Sequence, residues 1–370
     1  MITEPRTAIV YDRVNKFGGA ERVLLALREA FPQSVLFTSV FDAEAAGWVG
    51  DWEVRTSFLQ NLPFAEKHHE WFAVLMPLAF ESLNFDGFDI VISVTSEAAK
   101  SIITKPEQLH ICYCLTPTRY LWSHTSEYEG EHFRWLKQLF FSKLREIDFI
   151  AGARPDVFIP ISNLVKKRIE KYYHRECEDV IYPPYTQVTC YKPQVSSKDY
   201  YLIVSRLVSY KRIDLAIEAC LSLQKKLVIV GTGSDGTRLK KLANNSPLIS
   251  FVGFVPDEKL GEYYAGARAL LCPQKEDFGI VSLEAQSFGT PIITYENSGV
   301  AETIKLGETG LTFGEQTAES LVQALQKSED FTWDPKQMKE WVSRFALDQF
   351  LVRIRGLVHD MMSKRKGYYA

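Results

Sequence analysis

The sequence predicts an α/β protein built from two doubly wound, parallel-sheet domains. Three observations carry that expectation. Short apolar runs alternate with amphipathic helical stretches through most of the chain. The length, 370 residues, suggests two domains at roughly 150 residues each. Between the two halves Tyr182–Lys198, with prolines at 183, 184 and 193 and little periodicity, reads as a linker. Short strands alternating with helices make a parallel sheet covered on both faces, and such sheets bind ligands at the carboxyl ends of their strands.

In the first half Thr7–Tyr11 reads as a strand. A glycine turn follows, then a helix over Ala20–Phe31 with Val23, Leu24, Leu27 and Phe31 at helical spacing. Val35–Thr38, Asp89–Val94 and His110–Cys114 read as further strands, and Trp71–Leu83 as a helix. Glu131–Ile150 mixes aromatics with Arg134, Lys137, Lys143 and Arg145. It fits a core-packing helix with a charged outer face better than an interfacial membrane helix. In the second half the strands are Tyr200–Ser205, Leu227–Val230, Ile249–Val252, Ala269–Cys272 and Pro291–Thr294. The helices between and after them are Ser209–Leu223, Gly236–Asn244, Asp257–Ala265, Gly279–Phe288, Ala318–Gln326, Pro335–Val342 and Leu347–Ser363.

Composition narrows the function classes. With 46% apolar and 24% charged residues the chain is neither disordered nor fibrous. A net charge of −3 leaves no basic field for a nucleic acid backbone, so nucleic acid is not an expected partner. The longest apolar run, Ala73–Phe80, contains Pro77 and falls far short of the ~20 residues of a membrane span. The first residues lack a basic segment followed by an apolar stretch, so no signal peptide is expected. Cysteines at 112, 114, 177, 190, 220 and 272 form no Cys-x-x-Cys pair, the usage of a reducing compartment, and a cytoplasmic location is expected. Cys112 and Cys114 read as packing residues on one strand face; His110 and the pair His68–His69 read as core-edge or surface.

Three segments carry candidate chemistry. Gly231-Thr-Gly233-Ser-Asp-Gly236 follows a strand and opens a helix, as in a dinucleotide fingerprint. That fingerprint needs an acidic residue about 20 positions on, where Phe251, Val252 and Gly253 stand instead, so a nicotinamide cofactor is not expected. The second segment is stronger. After the strand Ala269–Cys272 come Glu276 and Asp277, then Gly279-Ile280-Val281 opens a helix that carries Glu284. The first amides of such a helix suit a phosphate, and Gly279 permits close approach. Glu284 lies where a carboxylate can accept from a ribose diol, and Glu276 can reach the group beyond the phosphates. In the third segment Arg206 and Lys211 follow the strand Tyr200–Ser205, where two cations suit a diphosphate leaving group; Arg212 reads as that or as a surface charge.

Arg206 with Lys211, Gly231-Thr-Gly233, Glu276-Asp-Phe-Gly-Ile-Val-Ser-Leu-Glu284-Ala and Thr309-Gly-Leu-Thr-Phe313 together resemble the retaining nucleotide-sugar glycosyltransferases of family 4. The resemblance is dense over residues 201–313. It continues through Phe17-Gly18-Gly19-Ala-Glu21 and Tyr113-Cys-Leu-Thr-Pro-Thr-Arg119-Tyr-Leu-Trp122, the latter similar to bacterial mannosyltransferase-like members that build O-antigens and exopolysaccharides. The resemblance implies a GT-B fold: two Rossmann-like domains, residues 1–190 for the acceptor and 191–345 for the donor, facing a central cleft, with residues 346–370 returning to the first. It implies that Arg206 and Lys211 grip the donor diphosphate, that Glu284 holds the ribose and Glu276 the transferred sugar, and that Gly18 and Gly19 bring amides to the cleft. Gly231, Gly279, Ile280 and Val281 complete the donor-binding set.

It further implies a nucleotide-sugar donor, UDP-glucose-like before GDP-mannose, a lipid-linked or free saccharide acceptor, and peripheral contact with the inner face of the plasma membrane. No cofactor and no metal are expected; the sequence contains no Asp-x-Asp. Three positions depart from the family pattern: Leu115 stands where many relatives have histidine, Pro184-Tyr185-Thr186 replaces Pro-Pro-Val-Asp, and Ser298-Gly299 replaces a glycine pair. Leu115 keeps a second class of function in view, a non-catalytic GT-B subunit that scaffolds a synthesis complex. A sugar-nucleotide epimerase is a third, for which no acid–base side chains stand out.

Overall fold

A computed structural model describes residues 5–123, 134–185 and 198–369. Residues 186–197 of the expected linker, with Cys190, and 131–133 of the segment Glu131–Ile150 lie outside the described residues. The chain divides into two units, one of residues 1–184 with 348–370, the other of residues 185–347.

The sheet of the first unit has the order β3-β2-β1-β4-β5-β6. Its strands are β1 (Thr7–Tyr11), β2 (Val35–Thr38), β3 (Val54–Thr56), β4 (Ile90–Thr95), β5 (Leu109–Cys114) and β6 (Val157–Pro160), all parallel. Every residue of β1, β2, β4 and β5 is buried, as a parallel sheet covered on both faces requires. On one face Val10, Phe37 and Val91 pack with Ala79, Phe80 and Phe85. The helix Gly19–Ala30 buries Val23, Leu24 and Leu27, close to the span that its periodicity predicts. The helix expected over Trp71–Leu83 is a 3-10 turn, His69–Phe72, followed by a helix at Met76–Glu81. Pro77 lies in that helix's first turn, where a missing N–H costs nothing.

The final helix, Leu347–Tyr369, belongs to this unit from Asp348 on. The Phe350 ring meets Tyr113 edge-on at 6.0 Å. Arg355 donates from Nε to the Ala30 carbonyl at 3.0 Å and from Nη2 to the Glu29 carbonyl at 2.7 Å. Those carbonyls end the helix Gly19–Ala30 and have no intrahelical donor of their own.

Two buried polar knots hold the loops at the strand ends. Asp12, just after β1, accepts from Thr95 Oγ1 and from the amides of Ser96, Glu97 and Ala99, at 2.8 to 3.1 Å, and so ties β1 to the turn after β4. Burial raises its carboxyl pKa, and Glu97 adds to the shift. Lys100 and Asp148 form a buried ion pair at 2.6 Å. Asp148 also accepts from Thr118 Oγ1, Trp122 Nε1 and the Tyr173 phenol. A buried pair survives desolvation only with this degree of hydrogen bonding.

The sheet of the second unit has the order β12-β11-β10-β7-β8-β9. Its strands are β7 (Tyr200–Val204), β8 (Lys226–Val230), β9 (Ile249–Gly253), β10 (Ala267–Cys272), β11 (Ile292–Tyr295) and β12 (Gly310–Phe313), again parallel. One face packs Ile203, Ile229 and Leu271 on Ile213, Ile217 and Leu325; the other packs Leu202, Leu270 and Ile292 on Tyr264, Leu260 and Ala285. The helix expected over Ser209–Leu223 breaks. Ser209–Lys211 is a 3-10 turn, Arg212 takes φ 50°, and the α-helix runs from Ile213 to Ser222. Among the described cysteines none is in a disulfide, and burial pushes the Cys220 and Cys272 thiols up to about 12. No described helix is long and apolar enough to cross a membrane.

Candidate functional site

In the second unit the chain winds from β7 through β8 to β9, then returns to the other side of β7 for β10, β11 and β12. The loops after β7 and β10 therefore leave in opposite directions, and a crevice opens between them at the carboxyl ends of the strands. Those loops carry the charged residues singled out in the sequence: Arg206 and Lys211 after β7, Glu276 after β10.

Lys211 Nζ is ion-paired with Glu276 Oε2, with 12% and 15% of the two side chains exposed. Gln274 Nε2 also donates to Glu276 Oε2, at 3.5 Å. Arg206 is exposed, and its Nη2 donates to the Tyr210 hydroxyl at 2.8 Å. The backbone of Glu276 is held at both ends: its amide donates to Ser298 Oγ at 3.0 Å, and its carbonyl accepts from the Gly299 amide at 2.7 Å. Ser298, a departure from the family pattern, therefore has a definite task in this loop.

Gly279 sits before the helix Ile280–Ser287 with φ 85°, and a Cβ there would fall 2.6 Å from Val300 Cγ2. Glycine is required on both counts. Ile280 and Val281, half-buried, make the first helical turn, whose amides have no intrahelical acceptor. Further along, Glu284 is buried and its Oε2 accepts from the Tyr264 hydroxyl at 2.7 Å. Gly231 is likewise required to be glycine: its φ is 128°, and a Cβ there would lie 1.9 Å from the Ser205 carbonyl oxygen. The β8 loop thus packs directly against the β7 loop, with Leu207 N donating to Thr232 O at 2.9 Å, and so supports the turn that carries Arg206.

Gly18 and Gly19 belong to the first unit, where they open the helix Gly19–Ala30. Glu21 is buried there and accepts from the Tyr11 phenol at 2.7 Å. His110 is not at the core edge: it is fully buried, with Nε2 2.9 Å from Ser93 Oγ, and burial pushes its pKa down to about 3. Leu115 extends the sheet by donating its amide to Thr95 O at 2.9 Å. Of the residues around the site, sequence reasoning missed Tyr264 and Gln274, which belong to none of the motifs; Ser298 was noted as a departure from a glycine pair, without its bond to Glu276.

Residues 192–342 match the family described as Glycosyl transferases group 1, and the two six-stranded parallel units have the α/β fold of the GT-B glycosyltransferases. The particular likenesses are these. The chain is 31% identical over 179 residues to a glycogen synthase of Desulfitobacterium hafniense, which covers 43% of this chain and 38% of that protein. It spans well under half the length of the curated relatives it matches. Sucrose-phosphate synthase from Thermosynechococcus elongatus superposes with a TM-score of 0.73 at 18% identity, over 97% of this chain and 100% of that one. Anabaena HepE, solved in complex with UDP, superposes with a TM-score of 0.69 at 16% identity, over 96% of this chain and 100% of that one.

Proposed function

We propose that the protein is a retaining hexosyltransferase of family 4. In this reading it moves a sugar from a nucleoside diphosphate to a saccharide, lipid-linked and of the exopolysaccharide or O-antigen kind, at the inner face of the membrane. The observation that carries the reading is the Lys211–Glu276 ion pair beside the Gly279 helix start, with Arg206 on the same loop as Lys211. A diphosphate needs concentrated positive charge as it departs, and two cations with a helix start supply it without a metal. Lys211 exchanges its carboxylate partner for a phosphate when donor binds, which leaves Glu276 to face the transferred sugar. Glu284 holds the ribose at the other end. HepE is described in complex with UDP and glucose, which supports a UDP-hexose ahead of GDP-mannose as the donor here.

In the reaction the bond from the anomeric carbon to the diphosphate oxygen breaks, and the acceptor hydroxyl forms its bond on the face that the diphosphate leaves. The hydroxyl proton passes to a donor phosphate oxygen. Holding the acceptor hydroxyl beside the departing diphosphate, on the same face of the sugar, supplies the remainder of the rate. A thermal-shift panel of UDP, GDP, UDP-glucose and GDP-mannose tests the reading. A ligand at 100 times its dissociation constant adds about 2.7 kcal/mol of stability. Failure of every nucleotide to raise the melting temperature overturns it. Nucleotide binding without sugar transfer to any saccharide turns it toward the non-catalytic subunit that Leu115 keeps in view.

A further inference from the structure

The first unit has a switch point of its own. Its chain winds from β1 through β2 to β3, then returns to the other side of β1 for β4, β5 and β6, so the loops after β1 and β4 flank a second crevice. Arg13, after β1, bridges to Glu97, after β4, at 2.6 Å across this rim. Asn15, on the same loop as Arg13, reaches the segment before β4. Its Nδ2 donates to the Glu66 carbonyl at 3.0 Å and lies 3.3 Å from His69 Nδ1.

Those two contacts favour one tautomer of the imidazole, against the pull of Glu70 Oε2, 3.9 Å from the same Nδ1. A carbonyl only accepts, so the Asn15 atom that meets it is the amide nitrogen, and its second hydrogen faces His69 Nδ1. Nδ1 is therefore an acceptor, and in the neutral ring the proton sits on Nε2. Burial, with Arg13 next, pushes the His69 pKa down to about 4, with Glu70 and Asp12 opposing and Lys16 adding to the fall, so the ring is neutral at pH 7. The side chain keeps 13% of its area exposed. The result is an N–H donor of defined tautomer on a partly exposed ring, held against the loop that follows β1.

We propose that His69 is a saccharide-recognition residue, whose Nε2–H donates to a hydroxyl of the acceptor sugar in the crevice between the β1 and β4 loops. The assignment rests on the glycosyl-transfer reading for the identity of the ligand. A neutral donor suits a hydroxyl, since a charged imidazolium would favour an anion. Asn15 is the positioning residue, because it fixes the tautomer and the ring plane.

The test uses the full chain labelled with ¹⁵N-histidine, with His69 signals assigned by their loss in His69→Gln. At pH 7 the ring nitrogens should report the Nε2–H tautomer. The methyl glycosides of glucose, galactose and mannose are then titrated in, and at least one should shift the His69 ring signals, whereas UDP alone should not. With that glycoside as acceptor, His69→Ala should raise its KM about ten-fold with the Kd for UDP unchanged. His69→Gln, whose amide nitrogen falls near the Nε2 position, should recover most of the loss. An Nδ1–H tautomer, no shift with any of the three glycosides, or an unchanged acceptor KM in His69→Ala overturns the proposal. The titration needs only protein and sugar, so it decides the His69 site by itself; failure of UDP to bind the wild type overturns the donor reading instead.

Discussion

Tyr264 donates its phenolic hydrogen to Glu284 Oε2 at 2.7 Å, and both side chains are buried. One carboxylate oxygen is thus engaged by the protein itself, which fixes the orientation of the carboxylate. Tyr264→Phe removes this donor from a buried carboxylate, at a cost of about 1–3 kcal/mol. Denaturant unfolding should show that loss, and calorimetry should show UDP binding several-fold weaker. Unchanged UDP affinity would confine Tyr264 to a purely structural role.

Glu276 and Glu284 should separate kinetically. Glu284→Ala should weaken binding of the nucleoside diphosphate and of the full donor alike, since a ribose contact sets ground-state affinity. Glu276→Ala should bind the nucleoside diphosphate almost normally and transfer sugar poorly, since a contact to the reacting sugar strengthens as charge develops. Equal loss of nucleotide affinity in both variants would contradict the assigned order of the two carboxylates along the donor.

Arg206→Ala and Lys211→Ala should each lower kcat/KM by a hundred-fold or so, the order expected when a charge-assisted contact to a leaving group is lost. Lys211→Ala carries an added effect, because it strips Glu276 of its ion-pair partner. Steady-state kinetics over a range of donor concentrations decide the matter, and a near-wild-type kcat/KM in both would remove the diphosphate assignment.

Sugar transfer should survive chelation. Complete loss in EDTA, restored by Mg²⁺ or Mn²⁺, would show that the cations at the crevice are not sufficient.

His110 gives a pH prediction with a definite sign. Its folded pKa is about 3, against an ordinary 6.5. Between those values the unfolded chain takes up a proton that the native core refuses. Stability is therefore full above about pH 6.5 and falls by roughly 1.4 kcal/mol per unit as the pH drops below it. His110→Gln should flatten the acid limb of a melting-temperature profile between pH 7 and 4.5. A profile of unchanged slope would move the acid sensitivity to another group.

The strands Thr7–Tyr11 and Val35–Thr38 were legible to the residue, because an apolar run bounded by turn residues has only one way to enter a covered parallel sheet. Val54–Thr56 was not: three residues, half-buried or exposed, carry no period to detect. Arg212 was read as helical, since a single residue at φ 50° leaves no trace in an otherwise helical pattern. At the site the charges at strand ends stood out by position. Tyr264 did not, because a hydroxyl that meets a partner twenty residues away makes no local motif, and Ser298 showed only as a missing glycine, its bond to the Glu276 amide hidden for the same reason. Gly231 was ambiguous for a physical reason, since a glycine admits another loop's carbonyl as readily as it admits a phosphate.

The clasp of Arg355 on the carbonyls of Glu29 and Ala30 has a consequence for biosynthesis. The ribosome emits the six strands of the first unit, then the whole of the second, and only afterwards the helix that carries Arg355. The nascent first unit therefore waits, with the end of its first helix unclasped, through the translation of more than 160 further residues, from 185 to 347. The second unit is one uninterrupted stretch and can close as soon as it emerges. The half of the molecule that is made first is thus the half that is finished last, and a stalled or prematurely ended chain leaves that half without its clasp.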